Sequence, residues 1–125
     1  MDQKICLDTS ICIEIIKGNQ SFKSIFDKLG SYDVFITSIA VFELFLRETN
    51  IKSVEEFVDN FYILNLDNLS AIKGSNIFKQ LKKQGKIIDI RDIFVAAICI
   101  INGCSLLTLN KKHFEEISEL SLLEV

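Results

Sequence analysis

The 125-residue chain contains no proline and no tryptophan, and it has a single histidine. Proline-rich linkers are therefore absent, and the sequence also lacks low-complexity tracts, internal repeats and Ser/Gly-rich stretches that would mark a domain boundary. The length is typical of one domain, so we expect a single domain over residues 1–125. One histidine is also too few to complete the usual mixed Cys/His zinc site.

Long hydrophobic runs are missing as well. The longest uninterrupted apolar run covers nine residues, 93–101, whereas a membrane-spanning helix needs about 20. The first eight residues, MDQKICLD, lack the basic region and the long apolar segment of a secretory signal. We therefore expect a soluble, cytoplasmic protein that does not contact a membrane.

The cysteines do not have the spacing of a zinc site. Cys6 and Cys12 form a C-x5-C pair, and Cys99 and Cys104 form a C-x4-C pair, whereas common zinc sites use C-x2-C. Each cysteine lies among Ile, Leu or Ala, where a thiol behaves as a small apolar side chain. We predict four reduced thiols in the protein core.

The chain is rich in apolar residues, which make up 49% of it beside 25% charged residues. This balance is typical of a packed globular protein. Seventeen acidic and fourteen basic residues give a net charge of −3. Taken alone, the acidic balance argues against a general nucleic-acid binder, because such proteins present basic surfaces.

Short β-rich runs alternate with helical segments along the chain. Strands are predicted at 5–7, 34–37, 62–66 and 105–109, with 122–125 as a candidate fifth. Helices are predicted at 10–17, 21–29, 38–47, 53–61, 70–83, 92–102 and 112–117. The alternation predicts an α/β fold with a central, mostly parallel sheet of four to five strands, flanked by helices on both faces. Ligands of such folds bind beyond the carboxyl ends of the strands.

Two acidic residues are candidates for a functional site. One follows a predicted strand, where a ligand of this fold would bind, and the other lies in an apolar helix, where a carboxylate needs a partner. Asp8 directly follows the first strand, and its structural alternative is a helix cap or an Asx turn shared with Thr9 or Ser10. Glu43 lies in a strongly apolar helix, where an unpaired carboxylate would cost several kcal/mol if buried. Its structural alternative is an i,i+4 ion pair with Arg47, worth about 0.3–0.5 kcal/mol when exposed.

Two further polar residues lie near predicted strand or helix ends. Asp92 opens the most hydrophobic helix, where the helix dipole would favour a negative charge by about 0.3–1 kcal/mol. Asp89, three residues earlier, competes with Asp92 for the same capping role. The second of the two residues, Asn110, follows the fourth strand, where asparagine is common in turns. Each position alone has a structural explanation. The first and fourth strands of such sheets are often neighbours, so together these residues predict one polar crevice.

With these residues identified, the sequence resembles the PIN-domain ribonucleases, in particular the VapC-type toxins of bacterial and archaeal toxin–antitoxin pairs. The family's opening strand, first acidic residue and short helix resemble ICLDTSICIEIIKG (5–18). Its second motif is similar to ITSIAVFELFLRE (36–48). Its third and fourth motifs are similar to GKIIDIRDIFVAAICIINGCSLLTLNKKHFEEI (85–117). The resemblance covers almost the whole chain and implies a single PIN-like domain.

The resemblance implies a metal-dependent endoribonuclease that hydrolyses RNA phosphodiester bonds. Asp8, Glu43 and Asp92 would be the catalytic residues, and they would hold Mg²⁺ or Mn²⁺ together with Asn110. Many family members carry a fourth acidic residue at the position of Asn110, so a second ion would bind more weakly here. The residues that would support this acidic site are Thr9, Ser10 and Thr108.

The implied chemistry suits the residue types. Mg²⁺ prefers oxygen ligands and keeps several waters, one of which can attack a phosphodiester. Without the ion, repulsion among the carboxylates should raise the pKa of at least one of them. Apart from the three proposed catalytic acids, acidic and basic residues are equal in number. The net charge therefore no longer argues against an RNA substrate.

The resemblance also implies partners, namely an RNA substrate, a cognate antitoxin whose tail occupies the groove, and a second copy of the chain in a homodimer. His113 is expected to be a surface or packing residue. A lysine run is most often a solvated helix face, but this one lies between the second and third motifs. The candidate RNA contacts are Lys79, Lys82, Lys83, Lys86, Arg91 and Lys111. The candidate dimer face contains Phe42, Phe45, Phe57 and Phe61.

Three alternatives remain open at this point. A phosphoacceptor (receiver-like) signalling domain would use Asp8, Asp67, Thr108 and Lys111, although such domains usually have paired acids after the first strand and a Lys-Pro step. A catalytically inert PIN-like interaction module is possible because Asn110 replaces an acid. An RNA-processing nuclease without an antitoxin is the third, and the short length favours the toxin over it.

Overall fold

The computed structural model describes residues 3–124, which form one parallel sheet surrounded by helices. The strands are β1 (Lys4–Leu7), β2 (Asp33–Thr37), β3 (Tyr62–Leu64) and β4 (Cys104–Leu107). Their order across the sheet is β3-β2-β1-β4, and all three pairings are parallel. The predicted α/β fold is confirmed, including the adjacency of the first and fourth strands. Receiver-like domains have the order 2-1-3-4-5 instead, so that alternative does not fit this sheet.

Helices cover both faces of the sheet. They are α1 (Thr9–Ile16), α2 (Gln20–Lys28), α3 (Ser38–Phe45), α4 (Ile51–Val58), α5 (Asn68–Lys83) and α6 (Ile90–Asn102). Asp67, the acid that the receiver alternative needed, caps α5 by accepting a hydrogen bond of 2.9 Å from the Ser70 amide. That bond holds the pKa of Asp67 below its ordinary value. Its carboxylate is thus committed to a helix end.

The seventh predicted helix, at 112–117, is wrong. A single 3₁₀ turn, Lys111–His113, stands there instead. Phe114, Ile117 and Leu120 are all buried at intervals of three residues. The amide of Ile117 donates to the carbonyl of Phe114, and that of Leu120 to Ile117. A three-residue repeat matches tight turns with i→i+3 bonds and not an α-helix.

The candidate fifth strand is reduced to one bridge. Leu122 forms an isolated parallel bridge with Leu106 of β4. The amide of Leu106 donates to Ser121 at 2.8 Å, and the amide of Leu123 donates to Leu106 at 2.9 Å. Val125, where this prediction ended, lies outside the described residues. Within residues 3–124 the sheet therefore has four strands, and residues 121–123 lie against the outer edge of β4.

The two faces of the sheet carry separate hydrophobic cores. Cys6 and Leu106 belong to the core that includes α5 and α6, whereas Ile5 and Leu7 belong to the core formed with the first four helices. Adjacent residues of a strand point to opposite faces, and both faces are covered, which explains why the strands are apolar throughout. All four cysteines are free and buried, as predicted. Burial raises the pKa of Cys104 to about 11, so this thiol is protonated at neutral pH.

The fold brings the carboxyl ends of β1 and β4 together. The β1–β4 ladder runs from Lys4 to Leu7, and the amide of Asp8 extends it by donating to the carbonyl of Leu107 at 2.9 Å. The first residue after β1 and the first residue after β4 are thus side by side. Across residues 3–124, no helix is long and apolar enough to span a membrane.

Candidate active site

A hollow of about 300 Å³ opens at the carboxyl ends of β1 and β4. We call it the acidic pocket, because four carboxylates line it and one arginine is its only permanent cation. Its lining residues come from β1–α1, α3, the start of α6 and the segment after β4. They are Asp8, Thr9, Ser10, Ile13, Glu43, Asp89, Arg91, Asp92, Asn110 and His113.

Asp8 is held by two hydroxyl groups. Its Oδ2 accepts hydrogen bonds from Thr108 Oγ1 at 2.7 Å and from Ser10 Oγ at 3.2 Å. Both hydroxyl groups also accept hydrogen bonds from the turn after β4. Thr108 Oγ1 accepts one from the backbone N–H of Asn110 at 3.0 Å, and Ser10 Oγ accepts one from the backbone N–H of Leu109 at 3.1 Å. Asp8 precedes α1 but makes no side-chain capping bond, so the capping alternative for it is wrong. Among the described residues, no hydrogen bond reaches Oδ1, which leaves this oxygen available to a ligand.

Glu43 enters the pocket from α3. Thr37 ends β2 and caps α3 through a 3.1 Å bond from the Ala40 amide, which fixes where the helix begins. Glu43 Oε1 then accepts a hydrogen bond from Thr9 Oγ1 at 2.9 Å, and Oε2 lies 3.4 Å from Arg91 Nη1. The structural alternative of an ion pair with Arg47 is therefore wrong, because the arginine that pairs with Glu43 comes from α6.

Asp92 lies in the first turn of α6. Asp89, the alternative candidate for the helix cap, is the N-cap residue of α6, and its carboxylate accepts a hydrogen bond from the backbone N–H of Arg91 at 2.8 Å. Asp92 is therefore free to face the pocket. Its Oδ2 lies 3.3 Å from His113 Nδ1. Burial, followed by the charge of Asp8, raises the pKa of Asp92 above its ordinary value. The predicted rise in one carboxyl pKa is thus present, with burial as its larger cause.

Asn110 lines the pocket from the segment after β4. It precedes the 3₁₀ turn without making a side-chain capping bond. Its backbone N–H donates a hydrogen bond to Thr108 Oγ1, the same hydroxyl that donates to Asp8. The backbone of Asn110 is thereby fixed relative to Asp8, while its side-chain oxygen can add a neutral ligand to the three acids.

The donor set suits a hard divalent cation such as Mg²⁺ or Mn²⁺, which takes oxygen ligands. Asp8 offers an oxygen with no described hydrogen bond, and burial, together with the charge of Asp8, raises the pKa of Asp92. Within residues 3–124, no three acidic, histidine or cysteine side chains already converge into a metal-binding group. Arg91 Nη1 instead lies 3.4 Å from Glu43 Oε2, and His113 Nδ1 lies 3.3 Å from Asp92 Oδ2. An ion would have to gather these side chains.

The predicted RNA contacts fall into two groups. Arg91 lines the acidic pocket, and Lys86 lines an adjoining hollow of about 430 Å³ that shares Asp89, Asp92 and His113 with it. Lys86 pairs with Glu116 and Lys111 pairs with Glu124. The remaining candidates are exposed on α5 and line neither hollow; they are Lys79, Lys82 and Lys83.

Two ionisable lining residues were missed by the sequence analysis, besides the apolar Ile13. His113 is exposed, as expected, but its imidazole faces Asp92. Asp89 was considered only as a helix cap, yet its carboxylate also binds the Arg91 side chain, which holds the pKa of Asp89 below its ordinary value. The available signal was spacing, since both residues lie three positions from a predicted site residue.

A larger hollow, of about 920 Å³, lies elsewhere in the described structure. It lies at the opposite ends of the strands, where Asp33 begins β2 and Tyr62 begins β3, and it is lined mostly by apolar side chains. Phe57 and Phe61, two candidates for the dimer face, line it with their rings 4.9 Å apart. The other two candidates, Phe42 and Phe45, are exposed on α3. Size alone is a poor guide here, because the acidic pocket and its adjoining hollow contain the clusters of charged side chains, whereas the larger hollow is mostly apolar.

The chain is similar in sequence and in fold to known proteins. The family model for the PIN domain matches residues 5–120. Ribonuclease VapC3 of Methanocaldococcus jannaschii is 42% identical over 93 residues, which cover 74% of this chain and 94% of that protein. Ribonuclease VapC1 of the same organism is 34% identical over 122 residues, which cover 97% and 86%. The crystal structure of VapBC2 from Rickettsia felis, bound to a promoter DNA fragment, matches with a TM-score of 0.87 and 22% identity, covering 97% and 98%.

Proposed function

The chain belongs to the PIN domain family, as one of its VapC-type ribonucleases, and we propose that it is an endoribonuclease that hydrolyses RNA with Mg²⁺ or Mn²⁺. The observation that carries this proposal is that Asp8, Glu43 and Asp92 line the same acidic pocket. These residues come from three separate segments, yet they line one small pocket.

The residues that would hold the ion are Asp8, Glu43, Asp92 and Asn110. A bound ion would lower the pKa of a water and stabilise negative charge on the phosphoryl oxygens. Asp8 is fixed for this role by Thr108 and Ser10, which donate to Oδ2 and leave Oδ1 without a described hydrogen bond. Asn110 contributes an oxygen without charge, which supports one firmly held ion and a weaker second site.

The proposed biological setting is a toxin silenced by an antitoxin in the cytoplasm. Support comes from related proteins: structural neighbours include DNA-bound VapBC from Salmonella typhimurium and a toxin–antitoxin complex from Klebsiella pneumoniae. A homodimer is part of the same proposal. The exposed side chains of Phe42, Phe45 and Leu46 at the end of α3 support it, because adjacent exposed apolar residues often mark protein interfaces.

The proposal is tested by incubating the purified protein with total RNA in Mg²⁺, Mn²⁺ or EDTA. The test variants are Asp8→Asn and Asp92→Asn, which remove charge and preserve shape. We expect cleavage by the wild type with either ion, none in EDTA, and a loss of at least about 100-fold in either variant, since each removes the negative charge of one ligand of the ion.

Asp27→Asn is the matched control, because Asp27 is exposed on α2 and lines neither hollow of the site. It should cleave like the wild type. Cleavage that persists in EDTA, or that is unchanged in both pocket variants, would contradict the metal-dependent mechanism. A protein that binds Mn²⁺ but never cleaves RNA would instead support the inert interaction module that Asn110 left open.

A further inference from the structure

Arg91 spans two carboxylates at the mouth of the acidic pocket. Its Nε and Nη2 each lie 3.4 Å from one oxygen of Asp89, in the side-by-side arrangement of a two-point arginine–carboxylate pair. Its third nitrogen, Nη1, reaches across to Glu43 Oε2 at 3.4 Å. The guanidinium therefore joins the start of α6 to α3.

Asp89 fixes this arginine in position. Its Oδ1 also accepts the Arg91 amide at 2.8 Å as the N-cap of α6, so the Asp89 carboxylate is held by the helix end itself. The bonds and charge of Asp89, together with the charge of Glu43, raise the pKa of Arg91 further. Arg91 could release Glu43 and still be held at the pocket by Asp89.

Among residues 3–124, Arg91 is the cation that pairs with Glu43. Arg91 is the only Lys or Arg among the pocket's lining residues, and His113 faces Asp92 instead. Lys86 and Lys111 are paired with glutamates outside the pocket. The negative charge of Glu43 is thus balanced by one side chain, and that side chain is held by a separate anchor.

We propose that Arg91 is the internal counter-cation of the acidic pocket, which a divalent ion must displace from Glu43 before the site can bind metal. This inference rests on the proposed function. Glu43 Oε1 is already engaged by Thr9, and two cations at the remaining oxygen would repel each other. The displaced guanidinium stays beside Asp89, at the mouth of the pocket, where it can bind an RNA phosphate.

The test is Mn²⁺ binding measured by isothermal titration calorimetry at low ionic strength, without RNA. Arg91→Gln should bind Mn²⁺ about two- to fivefold more tightly than the wild type, the range expected for loss of one partly exposed competing ion pair. Arg91→Lys keeps the charge but cannot bridge both carboxylates, so its affinity should be intermediate. The gain should shrink at high salt, because an exposed pair is screened.

Lys23→Gln is the control, since Lys23 is exposed on α2 and its loss changes the net charge equally. It should bind Mn²⁺ like the wild type. A second readout needs no metal: in EDTA, the shifts in urea midpoint for Arg91→Gln and Glu43→Gln should not add in the double variant, because each change breaks the same pair.

The outcomes separate this inference from the proposed function. Equal or weaker Mn²⁺ binding by Arg91→Gln, in a wild-type protein that binds Mn²⁺ and cleaves RNA, overturns the role of Arg91 alone. Additive midpoint shifts in EDTA overturn it as well. If the wild type does not bind Mn²⁺ at all, both this inference and the metal dependence of the nuclease fail.

Discussion

Thr108 offers a direct test of how the acidic pocket is held together. Its hydroxyl donates to Asp8 Oδ2 at 2.7 Å and accepts the Asn110 amide at 3.0 Å, and the side chain is 3% exposed. Thr108→Val keeps the shape and removes both bonds. A bond to a charged group contributes about 1.5–3 kcal/mol and a neutral one about 0.5–1.5 kcal/mol.

The expected loss of stability lies near the lower end of the range for a bond to a charged group. Asp8 keeps its bond from Ser10 and borders an open pocket, and Asn110 is exposed, so water can replace part of what is lost. We expect Thr108→Val to lower the free energy of unfolding by about 1.5–2 kcal/mol. For a domain of this size, that corresponds to a fall in Tm of about 5–10 °C.

The assay is urea unfolding in EDTA, with Thr108→Ser as the control. Serine keeps the hydroxyl and loses one buried methyl, which costs about 0.8 kcal/mol. Thr108→Val should therefore be the less stable of the two, and it should also bind Mn²⁺ more weakly because Asp8 is less firmly held. If Thr108→Val is as stable as Thr108→Ser, the hydroxyl does not hold the pocket and the reasoning is refuted.

The second hydroxyl sharpens this test. Ser10 donates to the same oxygen of Asp8, so Ser10→Ala combined with Thr108→Val leaves Oδ2 without a described protein donor. The double variant should lose more stability than the sum of the two single variants, as expected of groups that share a partner. Additive losses would mean that the two hydroxyls act independently.

Three further predictions concern the metal-free protein. The pKa of Asp92 is raised in the folded state. Between a pH of about 3.9 and the raised value, the folded state therefore binds more protons than the unfolded state. The contribution of Asp92 to the free energy of unfolding falls as the pH rises through that window. In EDTA at neutral pH, Asp92→Asn should melt no lower than the wild type, and any advantage should vanish in acid; a large loss would contradict this. Thr37→Ala, which removes the buried cap of α3, should cost about 0.5–2 kcal/mol in urea unfolding, whereas Thr37→Ser should retain most of the stability. Gly74→Ala should stabilise α5 by about 0.5–1 kcal/mol, because a Cβ there would meet Ala97 at an ordinary 3.7 Å. Gly103→Ala should destabilise the protein, since φ is +67° at that position. The opposite order of melting temperatures would refute both predictions.

Local sequence was sufficient to predict most of the secondary structure. Apolar runs predicted the four strands because both faces of the sheet are covered, and six of the seven predicted helices are present. The seventh failed because apolar residues spaced by three or four positions do not distinguish an α-helix from successive tight turns. Buried Phe114, Ile117 and Leu120 follow the tighter repeat.

The sequence by itself determined the residue types of the acidic pocket, because Asp8 and Asn110 follow strands and Asp92 opens a helix. The tertiary structure decided their partners. Glu43 pairs with Arg91 of α6 and not with Arg47 on its own helix, a choice that no helical periodicity records. It depends on contact between α3, which follows β2, and α6, which precedes β4 on the other side of β1, so that residues distant in sequence come within the range of a hydrogen bond.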